Sequence, residues 1–334
     1  MELVNLGFKR SVTPNEWTRG VNVTDVALLK KEAKNKKTSP SRLEELARHA
    51  ELSVQFAVAG NPNTSSATLE YLGRSAKLVL LKAVAKHGNT PVIVLERLAR
   101  HRQDTVRQAV AQWGQVSETL ALELLNDSSE SSRFLLIERS RHFPWNTLKL
   151  FQSAARDPSS LVRMVVARCA NVSSVLEDLL SDADWTVVAE ALGNHALPLV
   201  ALTAKLESVF EQLNSGESWL NASRIVQRRD LPAHWLERFS NHPNATVRLW
   251  IAQNPNTPRE TLLQLSRDRD WGVLTATASL PDLPEDVYVG YTKHREVFVR
   301  LALVANPAVP RTVLELLARD KDADIASEAR KRLE

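Results

Sequence analysis

The sequence predicts an all-α fold, a solenoid of about eleven two-helix repeats of 26 residues each. Three observations carry that expectation. An apolar segment recurs at a nearly fixed interval along the chain. The joints between segments reuse proline, asparagine and hydroxyl residues, as in "IAQNPNTPRETLLQL" (251–265), "AGNPNTSSATLEYL" (59–72) and "VANPAVPRTVLELL" (304–317). Glycine is scarce, 10 in 334 residues, while Leu, Ala, Glu and Arg are abundant, which favours helix over sheet. A chain this long exceeds the usual single compact core, and a repeat array resolves that excess.

The period is read from the residue that opens each apolar run: Leu43, Leu69, Leu95, Leu120, Leu148, Leu176, Leu202, Leu236, Leu262, Tyr288 and Leu314. The intervals are 26, 26, 25, 28, 28, 26, 34, 26, 26 and 26, and six identical values out of ten are not a chance outcome. Sixteen residues after the opening position stands alanine in Ala59, Ala85, Ala111, Ala252 and Ala278. Each unit therefore reads as a leucine segment followed by an alanine/valine segment.

Taken in order, residues 1–37 precede the first unit and are expected to cap its exposed apolar side, and 38–334 form the array. "LLKKEAKNKK" from Leu28 reads as a solvated helix end rather than a polyanion site. In the joint, Thr257-Pro258-Arg259-Glu260 predicts a capping box, with Thr257 as N-cap and Pro258 at the first helical position; Thr90-Pro91 repeats the first two. Leucines at helical spacing follow. Asp270 before Trp271 predicts the N-cap of the second helix, with equivalents in "SDADW" and "RDKDAD". That helix stops before the next proline, and Asn254 and Asn306 suit its C-terminal turn because asparagine tolerates a left-handed backbone. "NDSSESSR" from Asn126 reads as a flexible loop, and the 34-residue interval after Leu202 implies an insertion near 210–224. Helices of about 8 to 10 residues cannot persist alone in water, so stacking must stabilise them.

At this point "VRLWIAQNPNTPRETLLQLSRDRD" (247–270) and "VRLALVANPAVPRTVLELLARDKD" (299–322) resemble the leucine-rich repeat variant, a HEAT-like bacterial repeat. The resemblance spans roughly 38–334, sharpest in units two, three and eight to eleven. It implies a right-handed superhelical solenoid of paired short helices, often an α-helix alternating with a 3₁₀-like one. The longer unit here implies a more fully α-helical second member. Some relatives carry an iron-sulfur module on clustered cysteines; this chain has one cysteine, Cys169, so no cofactor is expected.

Charge is uneven. Lys plus Arg against Asp plus Glu is 18 to 10 in residues 1–112, 9 to 14 in 113–226 and 16 to 15 in 227–334. A basic front suits an acidic protein partner or nucleic acid. One column suits recognition: Arg107, Arg133, Arg163, Arg248 and Arg300 share a register just after the residue opening each second segment. Such a ladder grips carboxylates or phosphates, or else pairs with Asp caps such as Asp104 and Asp270. Trp185 and Trp271 occupy matching inter-helix turns and complete the candidate face; Trp250 replaces an alanine and Trp113 a loop asparagine.

No metal-binding helix motif, phosphate loop or nucleophile elbow occurs, and the eight histidines are scattered, so neither catalysis nor a metal is expected. No apolar run approaches the roughly 20 residues that span a bilayer, and the amino terminus lacks a signal pattern. The lone cysteine suits a reducing, cytoplasmic setting. The expected function is a non-enzymatic scaffold binding a protein or peptide along a concave surface. The alternative is nucleic-acid binding through the arginine ladder, since some DNA glycosylases are built from HEAT-like repeats.

Overall fold

The computed structural model describes residues 23–144 and 147–334. Among them there is no strand, and the residues fall into two compact units divided between Cys169 and Ala170. Each unit is a run of stacked helix pairs. In the first, α1 (Val23–Lys34) precedes the pairs α2 (Pro40–Ala47) with α3 (Leu52–Ala59), α4 (Ser66–Leu72) with α5 (Leu78–Lys86), α6 (Val92–Ala99) with α7 (Asp104–Trp113), α8 (Glu118–Leu124) with α9 (Glu130–Arg139), and α10 (Leu148–Ala154) with α11 (Ser160–Cys169). In the second, α12 (Ser173–Leu179) pairs with α13 (Trp185–Gly193), α14 (Leu199–Leu213) with α15 (Trp219–Val226), and α16 (Ala233–Phe239) with α17 (Ala245–Gln253). The pairs α18 (Arg259–Leu265) with α19 (Trp271–Ala278), α20 (Glu285–Thr292) with α21 (Val297–Ala305), and α22 (Arg311–Leu317) with α23 (Ala323–Leu333) complete it. Both members of every pair are α-helical. Residues 1–22 of the expected cap lie outside the described residues.

Most first helices bury a leucine stripe, as in Leu43 and Leu46, Val94 with Leu95 and Leu98, or Val313 with Leu314 and Leu317, while α20 buries Tyr288 and Tyr291 instead. Most second helices bury valine or alanine, with Val54, Val84, Val106 and Val299 fully enclosed, and α9 buries Leu136 and Ile137 in their place. Burying such a side chain contributes about 1.5–3 kcal/mol, which these short helices could not obtain singly. The buried stripe corrects the column at two places. In α8 the residue 26 after Leu95 is Ala121, buried beside Leu120, and in α10 the core positions are Leu150 and Phe151 while Leu148 is half-buried. Read as Leu95, Ala121, Phe151, Leu176, the intervals become 26, 30 and 25. The extra residues of the 34-residue interval are mostly helical: α14 runs 15 residues where other first helices run 7 or 8.

The joints differ from expectation in an instructive way. Thr257 is not an N-cap: its hydroxyl donates back to the Ile251 carbonyl, closing the preceding helix, and the side chain is buried. Thr64 and Thr90 do the same to Val58 and Val84 at 2.6 Å. Leu231, Leu283 and Val309 fill the equivalent place, so the position belongs to the core. The N-cap is the next residue. In most first helices it is either serine, with Ser39, Ser65 and Ser117 accepting from the amides of Arg42, Thr68 and Leu120, or proline, as Pro258 at φ −58 and ψ 147; Thr147 and Val172 take the place before α10 and α12. Proline has the extended dihedrals a cap needs without a side-chain acceptor. Asp184, Asp270 and Asp322 cap α13, α19 and α23 as expected, whereas "NDSSESSR" is shorter as a loop than read, since α9 begins at Glu130.

Asn254 and Asn306 are extended, with φ of −76 and −72, so the left-handed reading fails. Their role is to join successive repeats. Asn254 Nδ2 donates to Val226 O at 2.7 Å and Arg228 O at 3.0 Å, and Asn306 Nδ2 to Ala278 O at 2.9 Å and Leu280 O at 2.7 Å. Asn61 does so to Ala33 and Asn35, which gives α1 the position of a second helix. Other donors occupy the column: His87 Nε2 sits 2.8 Å from Asn61 O, and Arg332 donates to Val304 O and Asn306 O. Fully buried Arg228 reaches Asn194 O at 2.7 Å across the 34-residue interval. Each donor satisfies carbonyls that the end of the preceding second helix leaves open.

Candidate interaction surface

The arginine column stands near the start of five second helices, one residue after a buried side chain that is valine except before Arg133, where it is Ser132, and its geometry is that of a staple. Arg107 forks onto Asp127 at 2.6 and 2.9 Å, Arg133 onto Asp157 at 2.7 and 2.9 Å, Arg248 onto Asp268 at 2.7 and 2.9 Å, and Arg300 onto Asp320 at 2.7 and 3.1 Å. The third nitrogen turns back to its own repeat, Arg248 Nη1 donating to His242 O at 2.7 Å and Pro243 O at 3.0 Å. Arg163 Nη1 likewise donates to Asp157 O at 2.9 Å. In the Arg248 and Arg300 pairs no side chain exceeds 8% exposure, so these guanidiniums are enclosed and bidentate rather than presented to a ligand.

The aspartates involved are not the caps named from the sequence. Asp270 caps α19, but the partner of Arg248 is Asp268, two residues earlier, whose Oδ1 also accepts the Asp270 amide at 2.8 Å. Asp320 and Asp322 divide the same work. Burial alone would raise the Asp268 and Asp320 carboxyls; the arginine forks and the amide bonds outweigh it and hold both below the ordinary carboxylate range. The Arg248 guanidinium is correspondingly pushed up by its bond to Asp268. An Asp-X-Asp pair 20 residues after an arginine was the available signal: the first carboxylate staples and the second caps.

Trp185 starts α13 half-buried, and Trp271 starts α19 at 49% exposure, its ring 5.5 Å from that of exposed Phe298 on α21. Trp250 is half-buried on α17. The histidines make turns: His242 Nδ1 accepts the Asn244 amide and its Nε2 sits 3.2 Å from Leu213 O. Burial pushes the His242 imidazole below its ordinary range.

The open surface lies elsewhere, on the second helices of the first unit. A groove of about 960 Å³ crosses α3, α5, α7 and α9. Small residues, Ala59, Ala83 and Ala109, leave the depression, and bulky Phe56, Val79 and Trp113 line it at 44–45% exposure. Lys82 and Lys86 stand one helical turn apart on α5, both exposed, and Lys86 Nζ lies 4.3 Å from the centre of the Trp113 ring. Gln108 and Gln112 add amides, and no Asp or Glu lines the groove. Sequence reasoning named Trp113 but missed Phe56, Val79 and the lysines. Their signal was present: α3 reads LSVQFAVA and α5 LVLLKAVAK, apolar around more of the circumference than one buried stripe requires.

No helix among the described residues is long and apolar enough to cross a membrane. The family model described as "Leucine rich repeat variant" matches residues 245–270, which are α17, the joint and α18. Among solved structures the chain is similar to "a leucine-rich repeat variant with a novel repetitive protein structural motif", at 22% identity and a TM-score of 0.50, covering 70% of this chain and 88% of that one. An engineered protein solved by a structural genomics consortium aligns over 95% of this chain and 96% of its own at 16% identity, with a TM-score of 0.36. No curated protein matches the chain. The matched stretch of helix, joint and helix is one instance of the pair that the chain repeats, so that this stretch resembles the leucine-rich repeat variant and the chain as a whole is a helical repeat protein.

Proposed function

We propose that this chain is a non-enzymatic scaffold of the cytoplasm that binds a protein or peptide partner along the concave side of its second-helix column, with residues 1–37 closing the front of the array. The groove of the first unit carries the reading. It exposes Phe56, Val79 and Trp113 together, where isolated exposed apolar residues would need no explanation. Aromatic anchors beside amides are what protein interfaces use. Nucleic-acid binding through the arginine ladder has less support, because Arg107, Arg133, Arg248 and Arg300 are already engaged by aspartates. The test is affinity capture with the wild-type chain and with Val79→Glu/Trp113→Glu, each with and without nuclease. A partner set lost in the variant and resistant to nuclease supports the proposal; a set retained by the variant or released by nuclease refutes it.

A further inference from the structure

We infer that the segment seated in the first-unit groove is acidic polypeptide carrying a Glu-X-Glu or Asp-X-Asp pair flanked by bulky aliphatic residues, an inference that rests on the peptide-binding reading above. The argument is one of charge. The arginines that open α7 and α9, Arg107 and Arg133, are neutralised by Asp127 and Asp157. Lys82 and Lys86 are not: neither has a carboxylate within ion-pair distance among the described residues, and no acidic side chain lines the groove. The apolar floor between them therefore faces an uncompensated double positive charge. Lys86 is held in place by the Trp113 ring face, an attraction that orders the ammonium without neutralising it. Spacing selects the ligand further. Residues i and i+4 of a helix stand roughly 5–6 Å apart at Cβ, and alternate residues of an extended strand about 6.8 Å apart on one side. Two carboxylates separated by one residue can thus meet Lys82 and Lys86 together while aliphatic neighbours reach Phe56 and Val79.

The probe is a fluorescein-labelled 16-residue peptide with a central Leu-Glu-Ser-Glu-Leu in a Gly/Ser background, measured by anisotropy against the full chain. Controls replace both glutamates with glutamine or with lysine, and add a 16-nucleotide oligo(dT). The glutamate peptide is expected to bind about tenfold tighter than the glutamine one, as two exposed ion pairs allow, and to lose that advantage at 0.5 M salt. The lysine peptide should bind weakest. In Lys82→Gln/Lys86→Gln, with circular dichroism unchanged, the glutamate peptide should fall to the glutamine level. Equal binding of the glutamate and glutamine peptides overturns the acidic assignment and leaves the peptide-binding reading standing. Absence of binding by every peptide, or tighter binding of oligo(dT), overturns both.

Discussion

Replacing Arg248 by methionine removes the staple between the start of α17 and the joint before α19 while keeping most of the side-chain volume. The arginine is 7% exposed and the Asp268 side chain 8%, so the pair is enclosed. Without the guanidinium, Asp268 keeps the Asp270 amide at 2.8 Å but loses both fork bonds, and the carbonyls of His242 and Pro243 lose their shared donor. Leaving one member of an enclosed pair behind costs about 3–5 kcal/mol, whereas a solvated surface pair is worth no more than about 1 kcal/mol. Removing the second charge as well, in Arg248→Met/Asp268→Leu, should recover much of the loss. Repeat arrays need not unfold in one step. The assay is therefore urea denaturation combined with hydrogen exchange at the amides of α17 and α19, where opening should become easier. A single-mutant cost below about 1 kcal/mol, or a double mutant no more stable than the single, would refute the staple.

Asn306→Ala should cost about 1–3 kcal/mol, because the Ala278 carbonyl and the Ala308 amide lose their partner while the Leu280 carbonyl keeps the Tyr288 hydroxyl; protection of α21 amides reports it. Thr257→Val should change stability by less than about 1 kcal/mol, since valine and leucine already occupy its place in other repeats, whereas loss of a true N-cap costs about 1 kcal/mol or more; urea midpoints separate the two. The second unit should weaken in two stages as pH falls. His242 is held below its ordinary 6.5, so the unfolded chain takes up the proton first and stability present above 6.5 is lost on descending below it. Asp268 and Asp320 are held below their ordinary 3.8, so their contribution is complete above that value and disappears on further acidification. Thermal melts from pH 8 to 3 should show the first stage vanish in His242→Gln.

The period, the helix pairs and the aspartate caps were legible because each depends on local chemistry: a leucine stripe, a proline, a carboxylate two residues from an amide. What the joints do across repeats was not. Thr257 beside Pro258 looks like a cap in one dimension, and only the stacked neighbour makes it a core residue. Asn254 was assigned a backbone role because its carbonyl partners, Val226 and Arg228, are 28 and 26 positions away. The irregular α10 misled for a related reason: Leu148 opens its apolar run in one dimension, 28 residues from Leu120, but the helix faces its core with Leu150 and Phe151. The arginine ladder was visible as a column and ambiguous as to purpose, because its register is fixed equally well by a ligand or by Asp127, Asp157, Asp268 and Asp320. The groove of Phe56, Val79, Lys86 and Trp113 needed three separate helices, α3, α5 and α7, side by side before it existed at all.

The asparagine column gives the chain a direction of assembly. Every donor reaches backward, Asn61 to α1, Asn254 to α15, Asn306 to α19, so a joint stays open until the following repeat has been made. On a ribosome, a layer that awaits such a donor would be the unsealed one, and an array shortened before Asn61, Asn254 or Asn306 would end on bare carbonyls that longer versions conceal.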